Sequence, residues 1–93
     1  MPGFVYVLTN RPNGTLYVGV TRNLARRVQQ HREGEVAGFT KPHDLRRLVY
    51  FEPFEDLFDA VVREKRLKAW KRAWKVRLIE EANPLWRDLS ESF

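Results

Sequence analysis

The sequence predicts an α+β domain, in which a small three-stranded antiparallel sheet is flanked by helices in the order ββαβα(α). Two runs rich in β-branched and aromatic residues, "FVYVLTN" and "TLYVGV", flank a turn sequence that contains Pro and Asn-Gly. A third such run lies between two stretches in which apolar residues recur with helical spacing. A chain of 93 residues has room for one modest core, so we assign residues 1–93 to a single domain.

The first two runs predict a hairpin with strands at about 3–9 and 15–20. The turn between them reads "NRPNGT", and we expect Gly14 to take the positive φ that such a turn requires.

The register of this hairpin decides which side chains share a face. If Asn10 pairs with Thr15, then Tyr6 lies opposite Gly19, and Tyr17 points to the same face as both. Gly19 weakens the strand, so its missing side chain should serve a purpose. We expect it to leave a notch between two phenols, with room for a ligand or another backbone.

A helix should follow the hairpin over "TRNLARRVQQHREG". Thr21 or Asn23 can cap its first turn, and Gly34 can end it. The segment "EVAGFTKPHD" then predicts a loop, and "LRRLVYFEPF" predicts the third strand, closed by Pro53.

The rest of the chain is predominantly helical. Apolar spacing from about Glu55 to Ala82 predicts one long helix or two. Asn83 precedes a proline, which disfavours helical backbone and should end this region. We expect residues 83–93 to form a short turn and a C-terminal tail.

The composition narrows the class of protein. There is no cysteine, which excludes disulfides, thiolate metal sites and a thiol nucleophile. The start has no basic segment followed by a long apolar run, and no stretch approaches a membrane span. We therefore expect a soluble cytoplasmic protein.

The charge is basic and concentrated. The net charge is +5, and between Ala60 and Ile79 eight Lys and Arg residues accompany a single acid, Glu64. Such a surface either binds a polyanion, most often nucleic acid, or carries charge without a function.

Two polar residues fall on the apolar face of the first predicted helix. On a helical wheel Arg27 and His31 lie with Leu24 and Val28. Arg27 can form a structural ion pair, or its planar guanidinium can bind a phosphate. His31 is either a packing residue or a second polar group in the same cleft.

Glu64 occupies a similar position in the later helix. It can pair with Lys68 or Arg27, or it can be the carboxylate ligand of a hard divalent cation. The pattern favours packing over base stacking for Trp70 and Trp74.

Together these residues resemble the GIY-YIG nuclease family. "FVY" at residues 4–6 stands where the family has Gly-Ile-Tyr, so Phe4 replaces the motif glycine, and "YVG" at 17–19 stands for Tyr-Ile-Gly. Ten residues separate the two tyrosines, as in the family pattern. The helix residues Arg27 and His31 follow, then Glu64 and Asn83, so that the resemblance covers nearly the whole chain. It is greatest to the small stand-alone bacterial members described as endonucleases.

The resemblance implies metal-dependent hydrolysis of DNA phosphodiester bonds. Tyr6, or as the second choice Tyr17, would help to deprotonate the attacking water. The other implied roles are phosphate binding by Arg27, support of a tyrosine by His31, a single Mg²⁺ or Mn²⁺ held by Glu64, and bracing of the site by Asn83.

The resemblance also implies which partners the protein binds and which residues contact nucleic acid. DNA is the expected partner, RNA stays open, and a homodimer or a targeting partner would supply what a single small domain lacks. The alternative is a catalytically weak or inactive nucleic-acid-binding module of the same fold. The residues expected to contact nucleic acid are Gly19, Thr21, Arg26, Lys41, Lys65 and Lys68.

Overall fold

The fold is that of a computed structural model, which describes residues 1–34 and 45–93. The elements are β1 (Gly3–Thr9), β2 (Leu16–Thr21), α1 (Leu24–Arg32), β3 (Arg47–Phe54), α2 (Leu57–Ala69) and α3 (Arg72–Ala82), followed by a short 3-10 helix (Leu89–Ser92). The sheet is antiparallel in the order β2-β1-β3. The predicted fold class and element order are confirmed. The loop predicted over 35–44 lies outside the described residues.

The hairpin has the predicted register. Tyr6 pairs with Gly19, and Leu8 pairs with Tyr17. The turn is closed by a hydrogen bond from the Gly14 amide to the Arg11 carbonyl, 2.9 Å long. The expected positive φ at Gly14 was wrong, because Asn13 takes it with φ 57°. Asn tolerates left-handed backbone better than most residues, so the turn is formed one position earlier.

The helices cover both faces of the sheet. On one face Leu24 and Val28 of α1 pack against Tyr6 and Leu8. On the other face α2 and α3 contribute apolar side chains to a core with β1, β2 and β3; its buried members are Val5, Val7, Val18, Val49, Ala60, Leu67, Ile79 and Trp86. The central strand β1 is therefore buried on both sides.

The ends of the helices follow local sequence. Asn23 caps α1 by accepting a hydrogen bond from the Arg26 amide at 3.1 Å, and Gly34 follows the helix with φ 71°. The region from Glu55 to Ala82 contains two helices, because Trp70 and Lys71 both have extended backbone.

An ion pair anchors α2 to the outer strand β3. The Arg63 guanidinium donates two hydrogen bonds to the Glu52 carboxylate, each 2.9 Å long. Tyr50 donates a third to the same carboxylate. This paired arrangement ties α2 to β3 at the residue before Glu64.

The C-terminal segment packs against the domain. Asp88 accepts a hydrogen bond from Arg32 of α1 at 2.7 Å and one from the Leu48 amide of β3 at 3.3 Å. Trp86 is buried in the core with φ 56°. The segment predicted to be a turn and tail is thus a folded connection between α1 and β3.

Candidate active site

Three rings from three different elements meet on the α1 face of the sheet. We call Tyr6 of β1, Tyr17 of β2 and His31 of α1 the aromatic triad. Their ring centroids lie 6.3 Å apart for Tyr6–Tyr17, 6.0 Å for Tyr6–His31 and 5.8 Å for Tyr17–His31. The Tyr6 hydroxyl is 3.3 Å from Nε2 of His31. The sequence pattern placed the two tyrosines on one face, and α1 adds the imidazole.

Gly19 supports the triad by making room for it. A Cβ atom at Gly19 would lie 2.5 Å from both Cζ and Oη of Tyr6, which is closer than any side chain tolerates. The ligand-sized notch predicted at Gly19 was therefore wrong, because the Tyr6 ring itself fills that space. Gly19 is buried beneath this ring, so its expected contact with nucleic acid is not available.

Burial shifts the pKa values of Tyr6 and His31. Tyr6 is 0% exposed, and this burial raises its pKa to about 12; Tyr17 adds to the rise, whereas the charge of Arg27 acts against it. Burial, followed by the charge of Arg27, lowers the pKa of His31. Near neutral pH, Tyr6 therefore keeps its proton and His31 is neutral, so that an imidazole nitrogen can accept a hydrogen bond from the phenol.

A polar groove opens at the C-terminal end of β2; no triad residue lines it, and Arg27, which also acts on Tyr6, links the groove to the triad. It has a volume of about 420 Å³ and lies between α1 and α2. Arg27 reaches it from α1, and Leu57 and Val61 border it from α2. Its other lining residues are Val20, Thr21, Arg22, Asn23, Arg26 and Gln30. Three guanidinium groups at one opening suit a phosphate oxygen.

Glu64 lies near this groove and does not line it. Leu57, Val61 and Glu64 are spaced so that they occupy one face of α2, with Glu64 a turn beyond the groove. Its side chain is 12% exposed, and its carboxylate accepts a hydrogen bond from Lys68 at 2.8 Å. Of the two partners weighed for Glu64, the structure shows Lys68.

Glu64 can hold a metal ion only with the help of other ligands. Among residues 1–34 and 45–93, no three His, Cys, Asp or Glu side chains lie close enough to hold a metal ion together. A single carboxylate fits Mg²⁺ or Mn²⁺ only where water and substrate phosphate complete the coordination. Glu64 is compatible with such a substrate-dependent site and not with a preformed one.

Asn83 belongs to a different part of the molecule. Its side-chain amide donates hydrogen bonds to the carbonyls of Val49 (3.1 Å) and Arg87 (2.9 Å), and its Oδ1 accepts one from the Arg87 amide (3.0 Å). Val49 is a core residue of the α2–α3 face, whereas the triad lies on the α1 face. The predicted role of Asn83 in the site is therefore not supported by contact, and its bonds are structural.

The remaining predicted residues divide into groove and surface positions. Thr21 and Arg26 line the groove, while Lys65 and Lys68 are exposed on α2. Lys41 lies outside the described residues. The sequence analysis did not name Arg22, Asn23 or Gln30 as groove residues. The position of Arg22 and Asn23 at the start of α1, next to Thr21, was a signal that could have identified these two.

A family comparison agrees with this geometry. The model of the GIY-YIG catalytic domain matches residues 2–77. The chain belongs to the GIY-YIG family. Nucleases of this family act on nucleic acids and generally use divalent metal ions.

The GIY-YIG protein is similar to small bacterial relatives. It is 34% identical over 79 residues to a UPF0213 protein of Pediococcus pentosaceus, covering 85% of this chain and 83% of that protein. It is 37% identical over 78 residues to a UPF0213 protein of Staphylococcus aureus, covering 84% and 94%. The solution NMR structure of a UPF0213 protein from Bacillus halodurans superposes with a TM-score of 0.59 at 27% identity, covering 95% and 93%.

The structure also bears on membrane association. None of the helices in the described part of the GIY-YIG chain is both long and apolar enough to cross a bilayer.

Proposed function

We propose that this GIY-YIG protein is a metal-dependent endonuclease that hydrolyses DNA phosphodiester bonds. The observation that carries the proposal is the convergence of Tyr6, Tyr17, His31 and Arg27 from three elements beside one open, basic groove. Arg27 lines the groove and also acts on the Tyr6 phenol, so it connects the groove to the triad.

Phosphate binding falls to the arginines of α1. Arg27 and Arg26 line the same groove, and a guanidinium presents paired N–H donors that match two phosphate oxygens. Arg27 also lies close enough to Tyr6 for its charge to act on the phenol. It can therefore hold the scissile phosphate at the triad.

The buried state of Tyr6 favours Tyr17 as the proton acceptor. A tyrosine takes a proton from water only as its phenolate, which must first have lost its own proton to solvent, and nearby positive charge is needed to stabilise that anion near neutral pH. Tyr6 is sealed from solvent and its pKa is raised, whereas Tyr17 is half-buried and can meet a water molecule. We therefore assign the attacking water's proton to Tyr17, and to Tyr6 and His31 the orientation of the Tyr17 ring.

Glu64 is the residue that would hold the divalent cation. Once bound, that cation would neutralise charge on the phosphate and make a water molecule more acidic. Lys68 is the competing partner of the carboxylate: its side chain is 52% exposed whereas that of Glu64 is 12% exposed, so a cation at Glu64 must displace the Lys68 ammonium from a partly buried ion pair.

The decisive experiment is a cleavage assay. Purified protein is incubated with plasmid, branched and single-stranded DNA, with and without Mg²⁺ or Mn²⁺. Glu64→Gln should abolish metal-dependent cleavage, and Arg27→Ala should reduce it strongly, while both variants stay folded. Glu55→Gln, which changes an exposed carboxylate before α2, is the matched control and should cleave normally. Full activity in Glu64→Gln would refute the metal role.

A second candidate is a nucleic-acid-binding module without efficient catalysis. The observation in its favour is that Glu64 is engaged by Lys68, and that the described residues contain no group of three His, Cys, Asp or Glu side chains that could hold a metal ion. It predicts DNA binding that weakens steeply with salt, with no cleavage under any metal condition. The same assay, run with RNA as a further substrate, separates the two candidates.

A further inference from the structure

Trp74 is unusually exposed for a tryptophan on a helix of the domain core. Its exposure is 54%, although the sequence pattern favoured a packing role. It lies at 6.1 Å from Trp70, ring centroid to ring centroid, with the two planes nearly perpendicular at 82°. The two rings border a groove of about 320 Å³, whose other lining residues are Arg77, Leu78 and Glu81. We call this the tryptophan groove.

The surroundings of the groove are cationic. Arg63 lies over the Trp70 ring at 5.1 Å, and Lys71 lies over the Trp74 ring at 5.8 Å. The acid in the groove, Glu81, is paired with Arg77 at 3.2 Å. The segment 63–77 contains eight Lys and Arg residues, of which Arg63, Lys68 and Arg77 are paired with Glu52, Glu64 and Glu81. The other five are Lys65, Arg66, Lys71, Arg72 and Lys75, so the surface around the rings keeps a positive charge that is complementary to a polyanion.

The tryptophan groove is separate from the candidate active site. The residues that line the tryptophan groove belong to α3 and to the junction between α2 and α3, and none of them lines the polar groove at the end of β2. A ligand in the tryptophan groove therefore does not occupy the phosphate position beside Arg27.

We propose that the tryptophan groove binds an unpaired base of single-stranded nucleic acid, with the neighbouring phosphates held by Lys71 and the other cations of α2 and α3. An exposed indole among cations provides both parts of single-strand recognition, a stacking surface and a charge track. A duplex is the poorer occupant, because its base faces are already stacked inside the helix. The surface binds without cleavage, so this proposal does not depend on the nuclease activity.

The test measures binding of a fluorescent thymidine oligonucleotide of about ten nucleotides, by anisotropy, in EDTA so that cleavage cannot occur. Trp74→Ala should weaken binding about fivefold or more, and Trp74→Phe should retain most of it, because a ring remains for stacking. Phe58→Ala is the matched control. Phe58 is 69% exposed on α2, but its neighbours Asp56 and Asp59 are acidic, so its removal should leave binding unchanged.

The outcomes are distinct. A uridine oligonucleotide of the same length, measured in parallel, shows whether DNA or RNA is the preferred strand, and a loss of affinity for either in Trp74→Ala supports the proposal. Wild-type affinity in a folded Trp74→Ala variant overturns it. The proposal is also overturned if Trp74→Ala changes the oligomeric state of the free protein, measured by sedimentation, while oligonucleotide binding stays unchanged. That result would make the groove a protein interface. Glu64→Gln should lose cleavage and keep oligonucleotide binding, so the nuclease proposal can fail without affecting the proposal for the tryptophan groove.

Discussion

The Tyr6 ring lies directly on the backbone of Gly19, its partner across the hairpin. A Cβ atom at position 19 would come within 2.5 Å of the phenol oxygen and of Cζ. The strand glycine thus fixes where the phenol sits, and with it the contacts of Tyr6 with Tyr17 and His31. A residue that looks permissive in the sequence determines the geometry of the triad.

Substituting Gly19 tests this contact. Gly19→Ala should destabilise the protein by about 1–3 kcal/mol, because the added methyl group overpacks a site with no free volume. In a Tyr6→Leu background the same change should cost much less, since leucine lacks the conflicting ring atoms. The free energy of unfolding, measured in urea for the wild type, the two single variants and the double variant, completes this double-mutant cycle. An equal cost in both backgrounds would show that the Tyr6 ring is not the cause.

The raised pKa of Tyr6 predicts a loss of stability in alkali. The pKa is about 12 in the folded protein, against about 10 for an exposed phenol. The neutral phenol therefore favours the folded state, fully below pH ~10, and this contribution is lost as the pH rises through ~12. The loss amounts to about 3 kcal/mol at most.

Tyr6→Phe should remove that component of the pH dependence. At neutral pH it should cost about 1 kcal/mol, from the hydrogen bond to His31. Burial, followed by a hydrogen bond to Glu52, also raises the pKa of Tyr50, so both proteins are compared in a Tyr50→Phe background. The measurement is the urea midpoint between about pH 8 and 12. If stability falls equally at alkaline pH with and without the Tyr6 hydroxyl, the loss does not come from the raised pKa of Tyr6.

Local sequence predicted the parts of the fold that local forces determine. The turn and the alternation of apolar residues were enough to set Tyr6 opposite Gly19. Asn23 could be foreseen as a helix cap, and helical spacing placed Arg27 and His31 toward the site. These features depend on neighbours within a few residues or on a register that one turn fixes.

The features that sequence reasoning missed depend on distant contacts. The space beside Gly19 is filled because the Tyr6 side chain turns toward it, which no strand pattern specifies. The sequence left one helix or two open after Glu55, because the break at Trp70 and Lys71 has neither Gly nor Pro to mark it. The partners of Asn83 come from β3 and from the chain after Pro84, which folds back to bury Trp86.

Removing the Lys68 ammonium should strengthen binding of a divalent cation to Glu64. The Glu64 side chain is 12% exposed, so its ion pair is screened less than a surface pair, and Lys68→Gln should raise Mn²⁺ affinity about twofold or more. Because the site needs substrate phosphate, Mn²⁺ is titrated by calorimetry into the protein–DNA complex, with DNA alone as the blank. Arg77→Gln is the matched control, because it breaks the i,i+4 pair with Glu81 on α3 and should leave Mn²⁺ affinity unchanged. If neither Lys68→Gln nor Glu64→Gln alters Mn²⁺ binding, Glu64 is not the ligand.

Asn83 should matter for stability and not for catalysis. Asn83→Ala removes three hydrogen bonds to backbone atoms and leaves the buried Val49 carbonyl without its side-chain donor, so we expect a loss of about 2–3 kcal/mol. Asn83→Asp keeps the acceptor for the Arg87 amide but turns a buried carboxylate oxygen toward the Val49 and Arg87 carbonyls, so it should lose at least as much stability as Asn83→Ala. Cleavage per folded molecule, measured well below the unfolding temperature, should match the wild type in both variants. A variant of wild-type stability that no longer cleaves would instead place Asn83 in the reaction, because no structural loss would then account for the lost activity.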